Sequence, residues 1–479
     1  MTAAGRALEE IRAHLKALRE RDLPTHGGRT LSYVYDSGLA DVDALGREAL
    51  AMFSSANGLD PTAFPSLLAM ENDLVARAGR LLDAPTGFVG SVTSGGTESI
   101  LLAVQAARDS RPEIDGPSMV LPSTAHAAFH KAAHYFGVRP LIVDVDPATF
   151  RADPAAMAST IDASTVLVVA SAPSYAHGVV DPVPAIASVA AARGLRCHVD
   201  ACIGGWVLPF LQRPRDWTFA VDGVTSMSVD LHKYAYTPKG VSILLHRNGT
   251  LRMPQLFASA QWPGYTMLNS TTQSTKSGGP LAAAWAVTEA IGDEGYAALA
   301  ATARQATLDL AAAVSGIREL RVVAEPEATL ICLTTSDPGL DVFTIADDMR
   351  TRGWFVQPQL AFGAMPATLH LTLSAATAPS VPTFVDDLRA SVEVAKAAGP
   401  AQTPPGLDAM LASLDPASLD EATLGQLLGA AGLADGSGAI ALPERMAPVN
   451  ALLDAAAPAL REALLKGVLD QLLRPTPTN

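Results

Sequence analysis

The chain has 479 residues, 49% of them hydrophobic and 17% charged, which is long enough for a large domain, a smaller one and added segments, and too apolar for disorder. Forty-eight acidic residues against 34 basic ones give a formal charge of −14, which argues against a general nucleic-acid binder, because phosphate contacts need clustered Lys and Arg. Three cysteines, Cys197, Cys202 and Cys332, show no CxxC spacing; they suggest neither a disulfide framework nor a structural zinc site and fit a reducing cytosol.

The opening MTAAGRALEEIRAHLKALRERDLPT is amphipathic and carries both signs of charge. It lacks the apolar core and cleavage site of a signal peptide and reads as a surface or dimer-interface helix. Helical spacing from Asp43 to Ser54 and from Pro65 to Leu82 continues what looks like an N-terminal arm. From about residue 86 the pattern changes. Short β-rich runs, GFVGSVT, PSMVLPS, RPLIVDV, TVLVVASA, LRCHVDA, GVTSMSV and GVSILLHR, alternate with Ala-rich helical segments. That alternation predicts an α/β fold with a mostly parallel sheet. The longest apolar runs, such as TVLVVASAP, fall far short of the ~20 residues that cross a bilayer, so no membrane span is expected.

A long Ala-rich helical stretch at 281–315 precedes a second set of strands, LRVVAEP, TLICLTTS, GWFVQPQL and TLHLTLS, which reads as a smaller α+β domain. GPAQTPPG is a linker by its Pro and Gly content, and a mostly helical segment follows to LRPTPTN. The expected division is an arm over 1–58, a large domain over 59–285, a small domain over 286–399 and a helical extension over 400–479.

Three polar groups fall at strand ends, where ligands of parallel α/β sheets sit. SVTSGGTES brings Gly95, Gly96 and Thr97 to a helix start, where free amides attract an anion; a plain capped turn explains them equally well. HVDACIGGW puts Asp200 at a strand end, where a buried carboxylate needs a cation such as a pyridinium nitrogen; a helix cap is the bland alternative. VDLHKYAYTPKG delivers His232 and Lys233 after another strand, and a lysine there, taken singly, is usually exposed. Together the three supply a phosphate cradle, a carboxylate for a ring nitrogen and an amine for an aldehyde, the parts that pyridoxal phosphate requires. His126, His130 and His134 are too far apart along a helix for three-histidine metal binding; stacking on the cofactor ring suits His126, and a solvated or packed helix face suits the other two.

The motifs SVTSGGTESIL, STAHAAFHKAAHYFG, HGVVDPV, HVDACIGGWVLPF and TSMSVDLHKYAYTPKG resemble those of the sphingosine-1-phosphate lyase group, within the group II decarboxylase family of fold-type I pyridoxal phosphate enzymes. GSGAIALPERM in the tail resembles the group more loosely. The resemblance implies a large domain like that of aspartate aminotransferase and a homodimer with shared active sites, the segment from Tyr265 to Gly279 reaching the partner's cofactor phosphate. By motif, Lys233 is the Schiff-base lysine, Asp200 the partner of the pyridine nitrogen and His126 the stacking residue, while Gly95, Gly96, Thr97 and His232 hold the cofactor phosphate. Lys239, in YTPK, matches the group's second lysine and implies a role with substrate phosphate or in proton transfer, and Tyr35 matches a tyrosine of the substrate pocket.

Two departures fall on the substrate side. NGLDPTAFPS replaces NPLHPDVFPS, so Asp60 stands where the group has a phosphate-recognising histidine, and STKSGG replaces a GSRPGG-like element, so Lys276 keeps the charge without the guanidinium fork. The resemblance implies a cytosolic enzyme that takes a small-molecule amine, a 2-amino alcohol with or without a phosphate, and cleaves a carbon–carbon bond to yield an aldehyde by retro-aldol chemistry. An amino-acid decarboxylase, with Lys276 orienting the substrate carboxylate, is the alternative. A catalytically idle cofactor-binding scaffold is a third reading, against which the intact set Lys233, Asp200 and His126 argues.

Overall fold

The computed structural model describes residues 5–402, 411, 414–416, 421–430, 433 and 443–475. Every β-rich run noted between 87 and 247 forms a strand: β1 Val89–Thr93, β2 Ser118–Pro122, β3 Arg139–Val143, β4 Thr165–Ser171, β5 Arg196–Asp200, β6 Ser226–Asp230 and β7 Ser242–His246. They make one seven-stranded sheet in the order β1-β7-β6-β5-β4-β2-β3. The pairs from β3 through β6 are parallel, whereas β7 runs antiparallel to both β6 and β1. Two reversals leave β1 pointing the same way as β5 and β6, so the carboxyl ends of all three open on one edge. β4 is buried along its whole length, which is why TVLVVAS reads as a continuous apolar run and does not alternate.

The turn after β1 leads into the helix Gly96–Asp109. After β7 come a hairpin, Phe257–Ser259 paired with Met267–Asn269, and the helix Gly278–Val314, which turns at Gly292 (φ 64°), a backbone conformation that side-chain-bearing residues rarely adopt. This helix crosses residues 285 and 286, where the sequence suggests a boundary, and its Leu310 and Val314 enter the second core.

The second sheet consists of Leu320–Val322, Leu330–Thr335, Gln357–Gln359 and Thr368–Thr372, all antiparallel, with Thr368–Thr372 between the second and third of these. The N-terminal arm does not stand apart from it. Leu31 N donates to Phe355 O (2.8 Å), and Thr372 N donates to Leu31 O (2.7 Å). A Cβ on Gly28 (φ 68°) would lie 2.3 Å from Ala376 O, so glycine is required where the arm passes. The arm then sets Tyr33 beside Phe355 (ring centroids 5.9 Å) and Tyr35 edge-on to Tyr234 (5.0 Å).

The helix Leu8–Arg19 has no buried residue, and Leu8, Ile11, Leu15 and Leu18 form an exposed stripe. At the other end, Leu424, Leu427, Leu452, Leu460 and Leu464 form a separate small core. Asp347 accepts from Met446 N (2.9 Å) and Ala447 N (2.8 Å), and Asp454 accepts from Ala361 N (2.6 Å), tying this unit to the second sheet's domain. Residues 436–442 of the GSGAIALPERM segment lie outside the described residues, as do residues 1–4 of the opening stretch and 476–479 of LRPTPTN. No helix among the described residues is long and apolar enough to cross a membrane.

Candidate active site

A cavity of about 400 Å³ opens at the shared carboxyl edge of β1, β5 and β6, and all seven proposed cofactor-side residues, Gly95, Gly96, Thr97, His126, Asp200, His232 and Lys233, line it. β5 ends on Asp200 because the alternation of RCHVD buries Cys197 and Val199 in the sheet's core and brings the carboxylate out at the edge. Asp200 Oδ1 accepts from Cys202 N (3.0 Å) and Ser228 Oγ (3.2 Å), which fixes its direction.

β6 ends on Asp230, which the sequence reading passed over although it stands three residues before Lys233. Lys233 Nζ lies 2.8 Å from Asp230 Oδ2, and Ser242 Oγ donates to Oδ1 (2.5 Å). Burial opposes charge on both partners, but each offsets it for the other: Asp230 is held below the usual carboxylate range, by Lys233 and then His232, and Lys233 is held above the usual lysine range, chiefly by Asp230. The signal in the sequence was the position itself, a strand-terminal acid beside a lysine.

Gly96 and Asp230 explain each other. A Cβ on Gly96 would sit 2.7 Å from both Asp230 Oδ1 and Cys202 Sγ, so the helix start can approach the strand end only without a side chain. Gly95 has more room, its nearest neighbour being His232 Cε1 at 3.7 Å. His232 Nδ1 is buried with no hydrogen-bond partner among the described residues, and burial lowers the ring's pKa. Beside the turn, Glu98 is buried and accepts from Ser94 N (2.6 Å) and Thr272 N (2.9 Å), joining the turn to the segment after the hairpin.

His126 precedes the helix Ala128–Phe136 and takes no part in it, and its ring opens into the cavity. Ala128 N donates to its Nδ1 (3.1 Å); the residue keeps solvent contact, yet burial around the ring lowers its pKa, with Asp200 acting the other way. His130 and His134 are exposed on that helix. Tyr175, a second residue missed in the sequence, lines the same cavity; its ring meets His126 edge-on at 6.3 Å, and its hydroxyl is 3.2 Å from Ser32 Oγ.

Tyr35 and Lys239 lie beside the cavity. Burial raises the Tyr35 phenol to about 12, with the nearby Lys233 charge acting the other way. Lys239 Nζ donates to Tyr33 O (2.8 Å) and His232 O (3.1 Å) and stands 5.1 Å above the Tyr35 ring. Its side chain keeps solvent contact, yet burial around the amine, and then the Lys233 charge, bring its pKa down to about 8. Asp60 and Lys276 are not brought to this cavity. Asp60 is exposed and caps its own turn, accepting from Thr62 N (2.8 Å), Thr62 Oγ1 (2.6 Å) and Ala63 N (3.3 Å). Lys276 Nζ pairs with Glu71 Oε2 at 2.7 Å. The turn before Asp60 holds the backbone of Lys276: Gly58 N donates to Lys276 O (2.7 Å) and Lys276 N to Asn57 Oδ1 (3.1 Å).

The residues present fit pyridoxal phosphate. The glycine turn at a helix start leaves a cradle, His232 offers an unpartnered buried nitrogen beside it, and an amine and two carboxylates face the same space. The chain belongs to the pyridoxal-dependent decarboxylase family: the family's conserved domain matches residues 25–336. It is a pyridoxal phosphate-dependent lyase. A second family model, "Pyridoxal-dependent enzyme, C-terminal putative HTH domain", matches 405–471. The chain is similar to the sphingosine-1-phosphate lyases of Dictyostelium discoideum (34% identical, over 81% of this chain and 73% of the relative) and Arabidopsis thaliana (36%, over 73% and 65%). A Burkholderia pseudomallei sphingosine-1-phosphate lyase structure superposes with a TM-score of 0.78 at 33% identity, covering 83% of this chain and 93% of that one.

Proposed function

We propose that the enzyme cleaves the C2–C3 bond of a long-chain 2-amino alcohol with a hydroxyl on C3, in the manner of the sphingosine-1-phosphate lyases that it resembles. The observation that carries this reading is the convergence of Lys233, Asp200, Asp230, His126 and the Gly95–Gly96 turn on one cavity, with Lys239 and Tyr35 at its side. When bound, pyridoxal phosphate supplies an aldehyde for an amine and an electron-withdrawing ring that accepts the electrons of the broken bond.

The chain's own residues supply the rest. Lys233 offers the amine for the aldehyde and is held toward it by Asp230. Asp200, fixed by Cys202 N and Ser228 Oγ, would serve the ring nitrogen as a counter-charge. His126 would cover one face of the ring, and Gly95, Gly96, Thr97 and His232 would hold the phosphate. Lys239, with a pKa near 8, is suited to take the proton from the C3 hydroxyl. Tyr35 orients that hydroxyl.

The active unit is a homodimer in a reducing, cytosolic setting. Supporting the dimer, Phe257, Trp262, Tyr265 and Leu268 expose apolar surface around the hairpin, and Asp60 and Lys276 lie outside their own cavity, as residues given to a partner's site would. Supporting the setting, all three cysteines are free and buried. Nucleic acid is not a partner in this reading: residues 405–471 carry nine acidic residues against three basic ones, which repels phosphate.

Incubating the pure holoenzyme with sphingosine 1-phosphate and, separately, with the common amino acids tests the reading. A long-chain aldehyde from the first supports it. Carbon dioxide from an amino acid, with no aldehyde from the lipid, overturns it in favour of a decarboxylase.

A further inference from the structure

The small-domain strand Thr368–Thr372 carries leucines on one face, Leu369 and Leu371, and these fill the second core. By the two-residue alternation of a strand, His370 and Thr372 share the other face. His370 is 0% exposed. Its ring lies flat against that of Tyr175, with centroids 4.1 Å apart and planes 12° from parallel, and its Nε2 is 2.8 Å from Thr372 Oγ1. Its Nδ1 is buried and has no hydrogen-bond partner among the described residues. A buried polar atom left unpaired is costly, and a leucine or phenylalanine would fill the space without that cost. The histidine is thus held by its stack on Tyr175 and its bond to Thr372.

Both neighbours of His370 lead to Lys233. Tyr175 lines the cavity and faces His126. Thr372 engages the Tyr35 phenol, and both tyrosines feel the Lys233 charge. We propose that His370 is a positioning residue of the active site: it seats the Tyr175 ring by stacking and, by donating from Nε2 to Thr372 Oγ1, turns the Thr372 hydroxyl toward Tyr35. Burial lowers the imidazole's pKa to about 3, so the ring stays neutral at any working pH. The backbone of Tyr175 acts against that shift, which puts the ring against the main chain of Tyr175 as well as its side chain. The strand is hydrogen-bonded on both sides, at Cys332 and at Gln357, which makes it a stiff mount. In this arrangement the small domain sets two side chains of a site whose cofactor groups all come from the large domain.

The inference rests on the reading of Lys233 as the cofactor's amine, and borohydride reduction followed by peptide mapping checks that reading separately. Three variants test His370: His370→Phe keeps a flat ring and loses the Nε2 donor, His370→Leu loses the stack as well, and Thr372→Val removes the hydroxyl. His370→Leu should weaken pyridoxal phosphate binding by about threefold to tenfold and alter the visible circular dichroism of the bound cofactor. His370→Phe should retain both signals. With sphingosine 1-phosphate as probe, His370→Phe and Thr372→Val should each lower kcat about tenfold at little change in KM, Thr372→Ser should restore it, and neither loss should recur in a Tyr35→Phe background. A soluble, folded His370→Leu protein with wild-type cofactor affinity and dichroism overturns the proposal whatever the activity. So does a Thr372→Val loss that is undiminished in the Tyr35→Phe background.

Discussion

Lys233 Nζ and Asp230 Oδ2 stand 2.8 Å apart, the acid at the end of its strand and the lysine three residues on, with Ser242 closing the other side of the carboxylate. Asp230 is buried and Lys233 partly so. Lys233→Ala leaves the buried carboxylate with Ser242 Oγ and, at 3.6 Å, His232 Nε2, and should destabilise the cofactor-free protein by about 1–3 kcal/mol. In the cofactor-loaded protein, borohydride should fix pyridoxal to Lys233 and to no other residue. Thermal unfolding and peptide mapping read the two outcomes, and an adduct on Lys239 or Lys276 would sink the assignment.

The same pair sets a sign for pH. Asp230 titrates below the ordinary carboxylate range when folded, so the stability that it contributes is present above that range and lost as pH falls through its lowered value. Lys233 titrates above its ordinary range, so its share is fully present below the free-lysine value and is lost as pH rises from there through its raised one. Denaturant titrations of the cofactor-free protein below about pH 4 should therefore show a steeper loss for the wild type than for Asp230→Asn. Equal slopes would mean that the pair is not formed in solution.

Gly95 and Gly96 are adjacent in sequence and unequal in space. A methyl on Gly96 meets a carboxylate held by Lys233 and Ser242, as well as Cys202 Sγ, whereas one on Gly95 meets only the edge of His232 at van der Waals distance. Gly96→Ala should cost about 1–3 kcal/mol through overpacking and abolish cofactor binding. Gly95→Ala should fold within about 0.5 kcal/mol of the wild type. Thermal shift with and without pyridoxal phosphate separates the two, and equal behaviour would show that the turn is looser than its geometry.

Much of this site was legible in the chain because its parts sit in contiguous motifs. Asp200 and Lys233 each follow a recognisable strand run, and the glycine turn opens a helix, so order along the chain nearly gives order in space. Asp230 was missed because the histidine and lysine after it drew the reading past an acid whose importance lies in what it touches. Tyr175 and His370 were missed for a different reason: they meet across two domains, nearly two hundred residues apart, and no local pattern encodes a stack. The hairpin at 257–269 escaped for want of alternation over only three residues a side, and the arm's pairing with Phe355 escaped because a single bridge leaves no periodic trace.

Lys239 is held by two carbonyls and depressed to about 8. Acting as a base it must be neutral, so kcat/KM should rise with pH and level off above about 8. Were it instead a cationic clamp for a phosphate, activity would fall through the same range. Lys239→Met should remove the limb and lower kcat by about a hundredfold or more, the typical worth of a positioned base. A falling limb in the wild type would reassign Lys239 to phosphate binding.

Asp60 and Lys276 lie outside their own chain's cavity, and in a dimer with shared sites they would bear on catalysis by facing the other protomer's cavity. In a dimer of that kind, an inactive Lys233→Ala chain and an inactive Lys276→Ala chain should complement. One of the two sites in each hybrid carries both lysines, so mixing after reversible dissociation should restore about a quarter of wild-type activity. In the same dimer, the Asp60 carboxylate stands near the incoming headgroup and repels a phosphate. Asp60→Asn keeps the acceptor that Thr62 and Ala63 use and deletes the charge, and it should improve kcat/KM for sphingosine 1-phosphate by about fivefold, the worth of one charge contact near water. Restored activity on mixing with no gain from Asp60→Asn would keep the shared site and place Asp60 outside it. No restoration, with Lys276→Ala inactive on its own, would put Lys276 to work within a single chain, where its pairing with Glu71 is the contact to break next.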